Sequence, residues 1–161
     1  MDYRTLGSVL LVALMAAPAV AQDCASAKPA VVSGAVPKAL GKSPIWMTAE
    51  SIPIKWTDGG TPVQLIWLID AEAREPFMVS GKHLGSGAPV KFTKIGDRVG
   101  MREVRWRLDP LGFKPANAKP QEFKKFNFDR TFGWFPAAGC YEIRGQARNQ
   151  ASVILVQVGA K

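Results

Sequence analysis

The chain predicts an all-β fold: an antiparallel sandwich or barrel of seven to nine strands behind an extended N-terminal arm. Three observations predict it. No window places apolar residues at i, i+3, i+4 and i+7, the spacing that one helix face needs. From Ile45 onward, short apolar runs instead alternate with Gly, Pro, Asn and Asp turn signals. One run, "MREVRWRLD" at 101–109, alternates cleanly, with Val104, Trp106 and Leu108 on one side and Glu103, Arg105, Arg107 and Asp109 on the other. That is a strand with one wet face.

The opening "MDYRTLGSVLLVALMAAPAVAQ" reads as a secretory signal over residues 1–21: Arg4, an uncharged run from Leu6 to Ala21, then Ala19-Val20-Ala21. The alternative is an uncleaved anchor, but the run has 16 residues, short of the roughly 20 that span a bilayer as a helix. Gln22 and Asp23 before Cys24 argue against lipidation. The expectation is an exported chain, periplasmic or extracellular, with no transmembrane anchor after cleavage. Only Cys24 and Cys140 are present, and two cysteines in an exported chain usually pair. Two free thiols are the other possibility.

Residues 22–44 are rich in Ala, Pro, Gly and Lys and read as the arm; residues 45–161 read as one sandwich domain. "SIPIKWT", "DGG" and "PVQLIWLID" form the first expected hairpin. Leu65, Ile66, Trp67, Leu68 and Ile69 are apolar without alternation, as in a central strand buried on both faces. "PFMVSGKHL" and "APVKFTKIG" around "GSG" are the second expected hairpin. "EFKKFNFD" sets Phe126 and Phe128 against Asn127 and Asp129. "CYEIRGQAR" and "ASVILVQVG" around Asn149-Gln150 are the third hairpin. "DPLGFKPANAKPQ" at 109–121 carries Pro110, Pro115 and Pro120, which excludes a central strand, since proline donates no ladder hydrogen bond. Trp56, Trp67, Trp106, Tyr141 and Ile143 are the expected core.

Phe135, Pro136, Gly139, Tyr141 and Ile143 form the pattern F-P-x-x-G-x-Y-x-I. It resembles the penultimate strand of many bacterial immunoglobulin-like sandwiches. Together with "LIWLIDAEAREPFMVSGKHL", the stretch "FPAAGCYEIRG" is also similar to exported bacterial proteins of unassigned activity. The resemblance implies an immunoglobulin-like antiparallel β-sandwich and no particular activity, because such folds host many functions. One departure follows from strand alternation. If Tyr141 and Ile143 point inward, Cys140, Glu142 and Arg144 point outward, and a Cys24–Cys140 bond lies on an outer face. Val153 and Leu155 share that face, and Val31, Val32 and Val36 of the arm are the expected cover.

Chemistry is sparse. His83 is the only histidine, too few for a histidine-rich metal site. Met47, Met78 and Met101 do not cluster in sequence and read as packing. Ser80 or Ser86 beside His83 lacks a nucleophile-elbow sequence and reads as part of a glycine-rich turn. "GKS" at 41–43 is not a phosphate loop, because the required upstream glycine position holds Val36. No cofactor and no metal are expected.

The formal net charge is +8. Residues 91–130 hold 11 Lys and Arg against five acids, interleaved with aromatics. Lys91, Lys94, Arg98, Arg102, Arg105, Arg107, Lys124 and Lys125 are the candidate anion-binding face, against the plainer reading of a solvated surface. Nucleic acid is not the expected partner; an anionic envelope component or an envelope protein is. The expected function is a non-catalytic binding or accessory module of the bacterial envelope. The alternatives are an inhibitor or chaperone-like protein using loop 109–121, or an enzyme with an unrecognised site.

Overall fold

The computed structural model describes residues 24, 38–49, 62–73, 75–94, 102–109 and 113–159. Among them the chain forms nine strands: β1 (Leu40–Lys42), β2 (Ile45–Ala49), β3 (Val63–Asp70), β4 (Met78–His83), β5 (Lys91–Lys94), β6 (Arg105–Arg107), β7 (Phe126–Trp134), β8 (Gly139–Ala147) and β9 (Gln150–Val158). They build two antiparallel sheets, β1-β2-β3-β7-β5 and β6-β4-β8-β9. The protein is an all-β sandwich. Among the described residues no helix is long and apolar enough to cross a membrane.

The unbroken apolar run of β3 has the role its composition demands. β3 lies in the middle of the five-stranded sheet, pairing with β2 on one side and β7 on the other. Leu65, Trp67 and Ile69 face the other sheet, where they meet Val79, Tyr141, Ile143, Ile154 and Val156. The Trp67 indole N–H donates to the Thr131 hydroxyl at 2.9 Å, which satisfies the one polar atom of a fully buried ring. Leu68, on the opposite face of β3, packs with Phe128 and Ala39 in a second cluster that Trp46, Ile66, Phe113 and Phe126 flank. The five-stranded sheet is therefore apolar on both faces. The start of the 113–121 stretch is fastened to it: Phe113 N–H donates to the Phe128 carbonyl at 3.2 Å, and Pro115 is buried.

Local patterning led elsewhere at three places. β4 and β5 do not form a hairpin. The chain begins one, with Val90 N–H donating to the Gly81 carbonyl and His83 N–H to the Ala88 carbonyl, both at 2.8 Å. It then crosses to the other sheet, where β5 pairs with β7. The run 101–109 is not one strand either. Glu103 bridges Phe92 of β5, whereas Arg105–Arg107 pair with β4. This change of sheet turns Val104 outward, 46% exposed, and leaves Trp106 half-buried, while Leu108 stays in the core. Finally, β1 falls within the stretch read as arm. Three residues around Gly41, with φ of 118°, carry no periodicity to read. The expected strand at 51–57, Trp56 and the arm residues Val31, Val32 and Val36 lie outside the described residues.

The β8–β9 hairpin is formed, its ends set by the Ala147–Gln150 pair. Gly139 opens β8 with φ of 141°, and a side chain there would collide with the His83 ring. No residue but glycine fits both demands. Tyr141 is buried, and its hydroxyl donates to the Ala137 carbonyl at 2.7 Å and accepts from the Ala137 N–H at 3.1 Å. Cys24 and Cys140 form a disulfide with Cα atoms 5.6 Å apart. Cys140 shares the outer face with Glu142 and Arg144, as alternation requires. Val153 on that face is 37% exposed, so the face is open at its row.

Candidate functional site

Strand register assembles the outer face of the four-stranded sheet from residues far apart in sequence. In an antiparallel sheet, directly paired residues point to the same side. Arg105 pairs with Ser80, Ser80 with Arg144, and Arg144 with Val153. The adjacent row is Arg107, Met78, Gln146 and Ala151. On the other side the row is Lys82, Glu142 and Leu155. These rows alternate with inward residues, among them Val79, Ile143 and Ile154. Among the described residues of these rows, four cations thus share one face with a single carboxylate.

Glu142 organises that face. Its Oε1 accepts from the Arg144 guanidinium at 3.2 Å and stands 3.9 Å from Lys82 Nζ. The Glu142 side chain is 11% exposed, against 56% for both Lys82 and Arg144. A carboxylate near the sheet surface therefore holds the charged heads of two half-exposed cations. Such exposed pairs contribute little to stability; what they set is geometry. Ser80, Gly81, Lys82, Glu142 and Arg144 line a shallow depression of about 250 Å³. It exists because Ser80 is short and its neighbours on all sides are long.

The eight cations expected to form an anion-binding face are divided. Arg105 and Arg107 stand on the face just described. Lys91 and Lys94 are on β5, in the other sheet, and Lys124 and Lys125 are exposed in the turn before β7. The Arg102 guanidinium lies 3.5 Å from the centre of the Trp134 ring. Arg98 is outside the described residues. Lys82 and Arg144, which complete the face, were not legible, because only the pairing of β4 with both β6 and β8 brings them beside Arg105.

His83 has both ring nitrogens engaged. Nδ1 accepts the Ser86 N–H at 2.9 Å and lies 3.1 Å from the Ser86 hydroxyl. Nε2 is 3.2 Å from the Ala138 carbonyl, and the ring edge meets Tyr141 at 4.9 Å between centroids. The imidazole ties the 84–87 turn to the entry of β8. Among the described residues no three His, Cys, Asp or Glu side chains converge on a metal position.

Asp129 is a buried carboxylate on β7. It accepts the backbone N–H groups of Asp109 and Arg130, each at 2.7 Å, and so fastens the end of the β6 segment to the five-stranded sheet. Burial pushes its pKa above the ordinary 3.8; these two hydrogen bonds oppose the shift, the Asp109 charge adds to it and Lys94 opposes it. A folded chain with a raised acid pKa holds the proton more tightly than the unfolded chain. The stability this group contributes is thus complete below pH 3.8 and is lost as pH rises through the folded value. Wild type should gain stability relative to Asp129→Asn as pH falls from neutrality toward that range. Urea unfolding at stepped pH measures the difference, and a pH-independent gap would refute the assignment.

No protein-family model, curated protein or solved structure matches the chain.

Proposed function

We propose that this is an exported, non-catalytic binding module of immunoglobulin-like architecture that docks on an anionic component of the bacterial envelope. One observation carries the reading: Lys82, Arg105, Arg107 and Arg144 share an exposed sheet face on which Glu142 is the only acid in the paired rows. The disulfide supports an oxidising compartment.

Two features support the immunoglobulin-like architecture. The order β2-β3-β7-β5 against β6-β4-β8-β9 parallels the two-sheet order of immunoglobulin domains. Tyr141, on the penultimate strand, bonds the backbone of Ala137, as a tyrosine corner does. Two departures stand beside them. β5 precedes β6 in sequence, so the two edge strands are visited in exchanged order, and the cysteine faces outward rather than into the core.

Vesicle sedimentation tests the docking. Binding to phosphatidylglycerol vesicles should exceed binding to phosphatidylcholine vesicles and fall steeply with salt. At about 1 kcal/mol per cation near an anionic surface, the Arg105→Ala/Arg107→Ala variant should bind roughly 30-fold more weakly. Equal affinity for neutral vesicles, or no binding at low salt, would overturn the reading.

A further inference from the structure

We infer that the depression over Ser80 is a binding notch for a phosphate monoester, presented as the headgroup of a membrane lipid. The inference rests on the docking face proposed above and names what that face selects. Ser80 is the short residue of its row, between Arg105 on β6 and Arg144 on β8. Adjacent strands lie about 4.8 Å apart, so the two arginine backbones flank Ser80 at that spacing on either side. Both guanidiniums are long enough to lean over it. Lys82 is the next residue on the same face of β4.

The donors outnumber the acceptors. The Arg144 guanidinium, the Lys82 ammonium and the Ser80 hydroxyl line the notch, with Glu142 the one carboxylate among the described lining residues, and Arg105 stands beside Ser80 in the next strand. Glu142 is occupied: its Oε1 holds Arg144 at 3.2 Å and stands 3.9 Å from Lys82. It acts as a positioning residue, holding the heads of two cations beside the notch. Counting Arg105, which borders the notch through its pairing with Ser80, three positive groups against one negative leave two charges to be matched. A phosphate monoester is close to a dianion at neutral pH, whereas a phosphodiester or a carboxylate carries one charge. Arginine forks suit tetrahedral oxyanions bidentately, and a hydroxyl on the floor adds a donor from below.

The surroundings favour a headgroup over a free ester. The notch is shallow, about 250 Å³, and it opens on a flat face. Arg107 extends the positive field in the adjoining row, where neighbouring anionic headgroups of a bilayer would lie.

The test compares phosphatidic acid vesicles with phosphatidylglycerol vesicles matched in surface charge density, alongside inorganic phosphate followed by NMR. Wild type should bind the phosphatidic acid vesicles at least tenfold more tightly. Ser80→Leu, which fills the notch, should bring that ratio to about one, and so should Arg144→Gln if Ser80→Leu is poorly folded by circular dichroism. Lys91→Ala, on the other sheet, should leave the ratio intact. Equal affinity of wild type for both vesicles, with no saturable binding of inorganic phosphate, would overturn the notch while leaving the docking face standing. Binding to neither would overturn both. Saturation by inorganic phosphate without any vesicle preference would overturn the lipid assignment in favour of a soluble phosphate ester.

Discussion

Cys24→Ser should lower the melting temperature by roughly 10–20 °C. The bond joins residues 116 apart in sequence. Closing so long a loop removes conformations from the unfolded chain worth about 4–5 kcal/mol in the chain-entropy model, and strain in the native state subtracts from that figure. Native strain is not a concern from the Cα separation of 5.6 Å, which is the common spacing for a disulfide. Cys24 is also buried, its sulfur 3.3 Å from the Val156 carbonyl oxygen, so the variant loses a docked contact as well as a crosslink. Cys24→Ser/Cys140→Ser should melt with the single variant, because Cys140 alone crosslinks nothing. Reduction of the wild type should give the same shift. Calorimetry with and without reductant measures all three, and an unchanged melting temperature in Cys24→Ser would show that the crosslink does not stabilise the fold.

Trp67→Ala should destabilise by about 3–5 kcal/mol. Trp67 is fully buried at the centre of β3, tilted against Phe92 at 6.3 Å between centroids. Its removal empties the middle of the space between the sheets and leaves the Thr131 hydroxyl, buried itself, without the indole donor. Trp67→Phe separates the two effects. It restores most of the volume but not the hydrogen bond, and should cost about 1–3 kcal/mol. Denaturant unfolding of the three proteins checks this; a loss below 1 kcal/mol for Trp67→Ala would mean that the site collapses around the missing ring.

These two residues mark what the sequence makes legible. The unalternating run at 65–69 predicts a strand covered on both sides, and β3 is one. Alternation around Tyr141 predicts an outward Cys140, and the sheet rows agree. Trp67, Tyr141 and Ile143 are buried as expected. Pairing between distant strands is a different matter. The turn at 84–88 looks like any hairpin, since the hydrogen bonds of its first residues are those of a hairpin; only the pull of β7 on Lys91–Lys94 decides that β5 leaves. Val104 fails its alternation for the same reason, standing where the chain passes from one sheet to the other. The candidate face was half legible. Arg105 and Arg107 could be marked as outward within one strand, but Lys82 and Arg144 join them only through register, which no single stretch encodes.

The pairing of β3 with β7 has a consequence for the birth of the protein. A chain made from its N-terminus presents β3, apolar on both sides, long before β7 exists to flank it, and Cys24 long before Cys140 can meet it. The five-stranded sheet can begin with β1, β2 and β3 as they emerge, but it waits for residues 126–134 to be completed, and the four-stranded one waits for 139–158. The early β1–β2–β3 unit is local, but the closure of both sheets depends on pairings distant in sequence, and such topologies fold slowly. Until the last quarter of the chain arrives, "LIWLI" at 65–69 has only β2 beside it and keeps its other edge and the face that meets the second sheet uncovered, a sticky segment. The nascent chain is therefore a client for whatever holds unfolded polypeptides apart, and its crosslink is a lock turned only at the end.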